Sequence, residues 1–515
     1  MALNSKIILC KNIKIDRNYK NCLTYSESDM LSLCNTNAVK IGTDFTFIGG
    51  KGSTTIEVPY TYAECLQCNY LAYQNTLYSN KWYFCFIDSV EYRNDNSTRI
   101  TFTVDYFHTW YDYYDKKSCY VVREHVSDDT VGNYTLEENL ALGDEYIIRD
   151  HIVDSNIGDP YLYLSSTYNP ETRSEDWGGV YNGLYSGQLY YSYPLNQISG
   201  KIQTIIDNSG YNAISSVFVA PSFLNNRSGR VPDTTTEASY DFFLDKITTI
   251  GSFIPKNKKL LTFPYVYIEV SNMVGGATIL KQELFNRLTE DNQYWLVVEG
   301  ALCPGASVRV SPMYYNGVNG KNTEYGLSLG KYPICNWAGD IYTNYMTQNG
   351  INIFSSALTG SFSTVDNLAI GDYEGATSGV FQTLSAYNEI HKAQMIPPQI
   401  QGNVNAGDVL FSTGDLTFHY YIKTIKEEVA RSIDDYFSMF GYKVNKLKVP
   451  NINTRSVFNY IQIATGEILA YQKSNVLSIP PQDLEEINNI YRKGVTLWHN
   501  HANIGNYSLN NTVVS

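Results

Sequence analysis

The residues that could do chemistry are few, and their spacing is wrong for it. Seven histidines (His108, His125, His151, His391, His419, His499 and His501) are scattered along 515 residues, and none falls in the His-Glu-x-x-His spacing that sets two zinc ligands on one helix face. His499-Asn500-His501 comes nearest to a metal pair. No carboxylate or third ligand stands beside it, and imidazoles so placed satisfy hydrogen bonds at a surface or in a core. Gly326-Leu327-Ser328-Leu329-Gly330 has the letters of a nucleophile elbow. That turn must open a helix, and here Lys331-Tyr332-Pro333 follows. In Gly49-Gly50-Lys51-Gly52-Ser53 a glycine follows the lysine where a phosphate loop needs Ser or Thr, so the stretch reads as a turn. Glu427-Glu428 and Asp434-Asp435 offer acid pairs of the glycosidase kind. Lys423, Lys426 and Arg431 lie within helical reach of them, which predicts a solvated helix face. Cys65 and Cys68 form the one close pair among nine cysteines, with no second pair at finger-like spacing. Free, buried thiols are expected. Neither catalysis, metal nor cofactor is indicated.

The elements tell more. In KWYFCFIDSVEYRNDNSTRITFTVDYFHTW, Lys81 to Trp110, the residues Trp82, Phe84, Phe86, Val90 and Tyr92 recur at every second position, with Asp88 breaking the series. After a polar cluster, Ile100, Phe102, Val104, Tyr106 and Trp110 resume that parity while Arg99, Thr101, Thr103 and Asp105 take the other side. This alternation predicts a β-hairpin with one dry face and one face open to water, a neighbour or a channel. Tyrosine, at 45 copies, outnumbers the 38 lysines and arginines together, which suits strands and half-wet interfaces.

The net charge of −13 and a single tight basic cluster, Lys256-Asn257-Lys258-Lys259, argue against a protein that grips nucleic acid by its phosphates. They do not argue against one that lets DNA slide past. No apolar run is long enough to span a bilayer as a helix, and the N-terminus lacks the apolar core and cleavage site of a signal peptide; Asn96-Ser97-Thr98 therefore carries no weight as a glycosylation acceptor.

The expected class is mainly β with α+β elements, in several antiparallel domains with short helices packed on the sheets. Residues 1–150 form a first β-rich part, including a strand Val121 to Val126. Residues 151–335 turn over every eight to twelve positions through Gly, Pro, Asn and Asp, as antiparallel sheet does, with a strand Tyr265 to Val270 and a short helix Ser199 to Asn208. Residues 336–396 differ in kind. From 332 to 391 there is no Lys or Arg, and Ile351, Ile353, Phe354, Leu358, Phe362, Val365, Leu368, Ile370, Val380, Phe381 and Leu384 are spread through Gly, Ser, Ala and Thr. Such a segment is either a long surface loop or a mobile apolar piece that can change environment. Residues 397–515 return to order: a strand Leu410 to Tyr421, a helix with Ile425, Val429, Ile433, Phe437 and Phe440 inward and Gly441 stopping it, and a second helix from Pro480 to Gly494 with Asp483 as cap.

The assembled landmarks resemble the tail knob, or distal tail tube, protein of small short-tailed phages of the Salas type. They run in order through Tyr78-Ser79-Asn80-Lys81-Trp82-Tyr83, Val122-Arg123-Glu124-His125-Val126, Gly143-Asp144-Glu145-Tyr146, Ile396-Pro397-Pro398-Gln399, Phe440-Gly441-Tyr442-Lys443-Val444-Asn445, Arg455 to Gln462, Gly494 to His499 and Asn503 to Ser508. Both ends match closely and residues 150–335 loosely. The resemblance implies a virion protein of the phage tail, a homohexameric, non-catalytic β-rich tube with DNA passing through its lumen without sequence-specific binding. It implies as partners a proximal tail or lower collar protein, a tail-tip protein and the host membrane during ejection. It also implies that a long apolar loop from each subunit, corresponding to residues between Asn349 and Gln394, blocks the lumen and later helps penetrate the membrane. Here the loop is shorter than the family pattern and carries Asp366, Asp372 and Glu374. Trp82, Phe84, Phe86, Ile100, Phe102, Val104, Tyr106, Trp110 and Trp498 are the expected core of the tube wall. Two other classes stay open: an adhesin holding cell-wall carbohydrate on Tyr181, Tyr185, Tyr190, Tyr191 and Tyr193, and a wall-degrading enzyme.

Overall fold

The aromatic hairpin forms, but not with one wet face. In the computed structural model, Lys81–Asn94 pairs antiparallel with Ser97–Val104. Cys85 lies opposite Val104, Ile87 opposite Phe102 and Val90 opposite Ile100. The register slips between Ile87 and Ser89, so Asp88 is an inserted residue, and Val90 falls on the face of Ile87 rather than of Phe86. Phe84 and Phe86, with Trp82 beside them, join Ile8, Tyr70, Phe458 and Trp498 on one side. Cys85, Ile100 and Phe102, with Val104 beside them, join Ile7, Leu9 and Leu71 on the other. Both faces are dry at the base of the hairpin, and its tip, Glu91 to Asn96, is exposed. The bulge carries its own polar anchor: the Thr103 hydroxyl donates to Asp88 at 2.5 Å and Arg17 pairs with it at 2.7 Å. Of the expected wall core, Phe84, Phe86, Ile100, Phe102, Trp110 and Trp498 are buried, whereas Trp82, Val104 and Tyr106 are half-buried. The strand also ends sooner than its alternation suggests, because Asp105 caps a helix Tyr106–Trp110 by accepting the His108 backbone N–H at 3.2 Å.

The structure describes residues 6–43, 47–49, 54–75, 79–157, 160–175, 179–181, 184–186, 189–209, 213–224, 228–231, 238–303, 305–330, 332, 334–336 and 417–514. The apolar segment containing Ile351, Ile353, Phe354, Leu358, Phe362, Val365, Leu368, Ile370, Val380, Phe381 and Leu384 lies outside them. The described chain is mainly antiparallel sheet with short helices, and it divides into two compact units.

The first unit takes residues 1–141, 255–260 and 428–515. Its seven-stranded sheet runs Ala38–Thr43, Lys6–Cys10, Tyr70–Asn75, Lys81–Asn94, Ser97–Val104, Thr54–Val58, Phe47–Gly49. Its five-stranded sheet runs Asn21–Leu23, Val495–Trp498, Phe458–Ile463, Cys119–Glu124, Tyr442–Lys448, the first pair parallel. The helix Glu427–Phe440 buries Ala430, Ile433 and Phe437 at three-four spacing. It stops at Gly441 (φ +66°), where a Cβ would stand 2.1 Å from the Glu124 carbonyl oxygen, so glycine is required there. Asp434 does not sit on the solvated face the sequence suggests. It is buried and accepts the backbone N–H groups of Lys256 (3.2 Å) and Asn257 (2.9 Å) and the Asn257 side chain (3.0 Å). Glu428 and Asp435 are exposed. In the helix Pro481–Lys493, Pro480 rather than Asp483 occupies the cap position; Asp483, in the first turn, accepts the Trp110 indole N–H at 2.9 Å.

The second unit takes residues 142–254 and 261–427. Among the described residues its three larger sheets carry it. One orders Tyr146–Val153, His419–Ile425, Val266–Ser271, Ala277–Leu280; the next, Gly229–Arg230, Leu189–Pro194, Pro160–Ser166, Ile214–Pro221, Ile334–Asn336; the last, Ser239–Asp245, Gln293–Ala301, Ser307–Pro312, Leu327–Leu329. The short helix begins earlier than its spacing suggests, at Leu195–Ser209. Of the strand expected over Leu410 to Tyr421, residues 410–416 lie outside the described residues, and the described strand runs His419–Ile425.

Candidate functional site

The chemistry-bearing residues turn out to be used by the fold. His108 Nδ1 donates to Asp105 at 2.7 Å, and Tyr70 donates to the same carboxylate oxygen at 2.7 Å. This is the orienting half of a catalytic triad. The other imidazole nitrogen, which would face a nucleophile, instead accepts the Leu23 backbone N–H at 2.9 Å, so it has no lone pair left to act as base. Burial first, then the Asp105 charge, push the Tyr70 hydroxyl well above its ordinary range. All three groups are buried and tie the start of the Tyr106–Trp110 helix to the sheet.

The other described histidines follow suit, while His391 lies outside the described residues. His125 accepts the Tyr460 N–H at 2.7 Å, and its other nitrogen meets the Ser438 carbonyl at 3.1 Å; burial, seconded by Arg455, pulls it down to about 3, so it is neutral. His499 bridges Thr24 (3.1 Å) and Asn459 (3.2 Å), and His501 accepts the Lys14 N–H at 3.0 Å, so the two do not converge on one point. His151 and His419 share a hydrogen bond of 2.8 Å on adjacent strands, with Tyr421 stacked on His151 at 4.6 Å. Among the described residues no group of three His, Cys, Asp or Glu could hold a metal ion. Ser328 lies in a strand, not at a helix start. Cys65 and Cys68 are buried free thiols.

Sequence reasoning missed one polar centre. The Glu138 carboxylate, in a loop, has no solvent exposure and pairs with both Arg123 and Lys259. It also accepts the Lys443 N–H at 2.9 Å, and Arg123 donates to the Gly441 carbonyl at 2.8 Å. Burial pushes the Lys259 ammonium down, with the Glu138 charge opposing. The basic cluster at Lys256 to Lys259 therefore serves packing in part, since Asn257 and Lys259 are both buried. No local signal marks Glu138, because its partners lie 15, 121 and 305 residues away.

The surface of interest is the four-stranded sheet that receives the chain after the long apolar segment. Its strands alternate strictly, each antiparallel to its neighbour, and among the described residues Tyr146–Val153 and Ala277–Leu280 each have one unpaired edge. Ile148 (52% exposed) and Val153 lie on the first, Ile279 (43%) on the second. Neither edge is guarded by proline, the usual way of blunting it. Of the tyrosines considered for sugar stacking, Tyr191 and Tyr193 are buried and Tyr190 packs edge-on against Phe218; the side chains of Tyr181 and Tyr185 lie outside the described residues.

Residues 230–512 match the family model of the C-terminal domain of the Bacillus phage phi29 tail knob protein gp9. The chain belongs to the phi29 gp9 tail knob protein family. Residues 3–115 of this tail knob chain match the model of the caudoviral major tail protein N-terminus. The tail knob protein gp9 of Bacillus phage phi29 is 26% identical, over 90% of this chain and 91% of that one; that of Bacillus phage B103 is 24% identical, over 98% and 97%. The solved tail knob protein gp12 of bacteriophage C1 superposes with a TM-score of 0.69 at 14% identity, over 99% of this chain and 100% of that one, and shares its fold. A tail knob chain is a structural component of the virion tail.

Proposed function

We propose that six copies of this tail knob protein close into the distal tube of a short phage tail, through which DNA leaves the particle. The observation that carries the reading is the open four-stranded sheet. An even number of alternating strands means that its two edge strands run in opposite directions. Copies related by rotation about one axis then present Ala277–Leu280 of one to Tyr146–Val153 of the next in antiparallel sense, and the ring closes with no edge left over. A net charge of −13 suits a conduit, because phosphates slide past a weakly repulsive wall but stick to a basic one.

The segment between Asn349 and Gln394 plugs that lumen. Its apolar residues need shelter from water, and six copies meeting on the axis supply it. Lipid replaces that shelter when the segment is expelled toward the host membrane, a transfer eased by the absence of cations from residues 332 to 391. The wall draws on both units, and a proximal tail or lower collar protein and a tail-tip protein bind its ends. Electron microscopy of the purified protein tests the ring. Hollow six-fold particles are expected from the wild type, and Ile148→Glu should give well-folded monomers. Monomeric wild-type protein, or rings unaffected by that substitution, overturn the reading.

A further inference from the structure

On the outer face of another sheet of the second unit, aromatic and polar side chains are set out in a way that packing does not require. In the edge strand Ser239–Asp245, Phe242 and Leu244 point inward and are buried, while Asp241, Phe243 and Asp245 point outward and are exposed. Phe243 is 44% exposed and lies directly opposite the half-buried Trp295 of the next strand, their ring centroids 6.3 Å apart. Tyr314, also half-buried, continues the row 5.7 Å from Trp295. Polar groups flank it: Asp245 stands opposite Gln293 and accepts its side-chain N–H at 2.7 Å, Asp241 stands two residues away on the other side of Phe243, and Arg287 lies over Tyr314. The Trp295 indole N–H has no acceptor among the described residues.

We propose that Phe243, Trp295 and Tyr314 form a carbohydrate-binding platform with Asp241, Asp245 and Gln293 as its polar rim. The rim selects the occupant. A lipid surface or an apolar protein face covering the rings would strip water from two carboxylates with nothing to replace it, and nucleic acid would bring phosphates to the same carboxylates. A saccharide presents a C–H face to the rings and hydroxyl donors around its edge, which match carboxylate acceptors flanking an apolar strip. Among the described residues Ser239–Asp245 is an edge strand, so a polymer can lie across the row from that side. This platform is distinct from the buried Tyr191 and Tyr193, and it does not depend on ring formation.

The test is saturation-transfer NMR on the full chain with soluble oligomers of N-acetylglucosamine, glucose and galactose. Transfer to the C–H protons of at least one series is expected. Phe243→Ser should abolish it, and Asp241→Asn with Asp245→Asn should weaken binding about tenfold at an unchanged melting temperature; the aspartate pair decides the matter if Phe243→Ser misfolds. The proposal is overturned by no transfer from any oligomer at concentrations up to about 10 mM, or by transfer that both variants leave intact. It is equally overturned if no sugar binds and Phe243→Ser dissolves a concentration-dependent oligomer, which would make a second copy the occupant.

Discussion

Replacing Glu138 with glutamine would test the buried polar centre of the first unit. Glutamine keeps the shape and one acceptor, so the Lys443 N–H can still be satisfied, but Arg123 and Lys259 lose their shared anion. Lys259 is almost wholly buried and Arg123 nearly so, and neither can swing out to water without leaving the ring faces of Tyr436 and Tyr442 that they cover. Breaking a buried pair by removing one partner costs about 3–5 kcal/mol, and here two cations lose the anion they share, so the upper part of that range is expected. That is a large share of a domain's stability of about 5–15 kcal/mol. The assay is urea unfolding combined with hydrogen exchange on the strands Cys119–Glu124 and Tyr442–Lys448, which the centre joins. Protection there should fall before protection in the second unit changes. Replacing all three charges by Leu and Met should recover much of the loss, because it removes desolvation along with attraction. A Glu138→Gln loss below about 1 kcal/mol would mean that water reaches the centre and that the reasoning fails.

His125 gives a pH dependence of known sign. Its folded value is depressed to about 3 against about 6.5 unfolded, so its contribution is full above pH 6.5 and is lost as pH falls toward 3, by up to about 5 kcal/mol. Thermal melts between pH 7 and 4 should fall more steeply for wild type than for His125→Gln, and equal slopes would discard the account. If the segment between Asn349 and Gln394 acts on membranes, dye release from liposomes should rise as pH drops and Asp366, Asp372 and Glu374 are neutralised, and it should vanish when residues 351–390 are deleted. Equal leakage from both proteins would remove the membrane role.

How legible the molecule was depends on the range of each interaction. Hairpin and helices follow periods of two and 3.6 in adjacent residues, so they stand in the sequence almost as they stand in space. The two faces of the hairpin do not, because a single inserted residue, Asp88, reverses parity downstream, and Asp88 looked like a polar interruption rather than a bulge. Asp434 was misread for a related cause: its i±3 and i±4 neighbours suggested solvent, but its partners come from residues 256 and 257. Glu138 left no trace, since a loop glutamate gathers its cations only after the chain has folded back. The family, by contrast, was carried by ordered multi-residue motifs at both ends. The apolar residues between Asn349 and Gln394 were singled out by composition alone, and they lie outside the described residues.

The parallel pairing of Asn21–Leu23 with Val495–Trp498 has a consequence for synthesis. Trp498 is wholly buried, its indole N–H on Asn21 at 2.8 Å, and it covers the same core as Phe84 and Phe86. While the ribosome is still translating the second unit, that core lacks its lid, and the early strands wait with apolar surface uncovered. A contact spanning almost the whole chain forms late and slowly. The first unit is therefore finished only after the second unit has been translated, so a chain broken off before Trp498 cannot complete it.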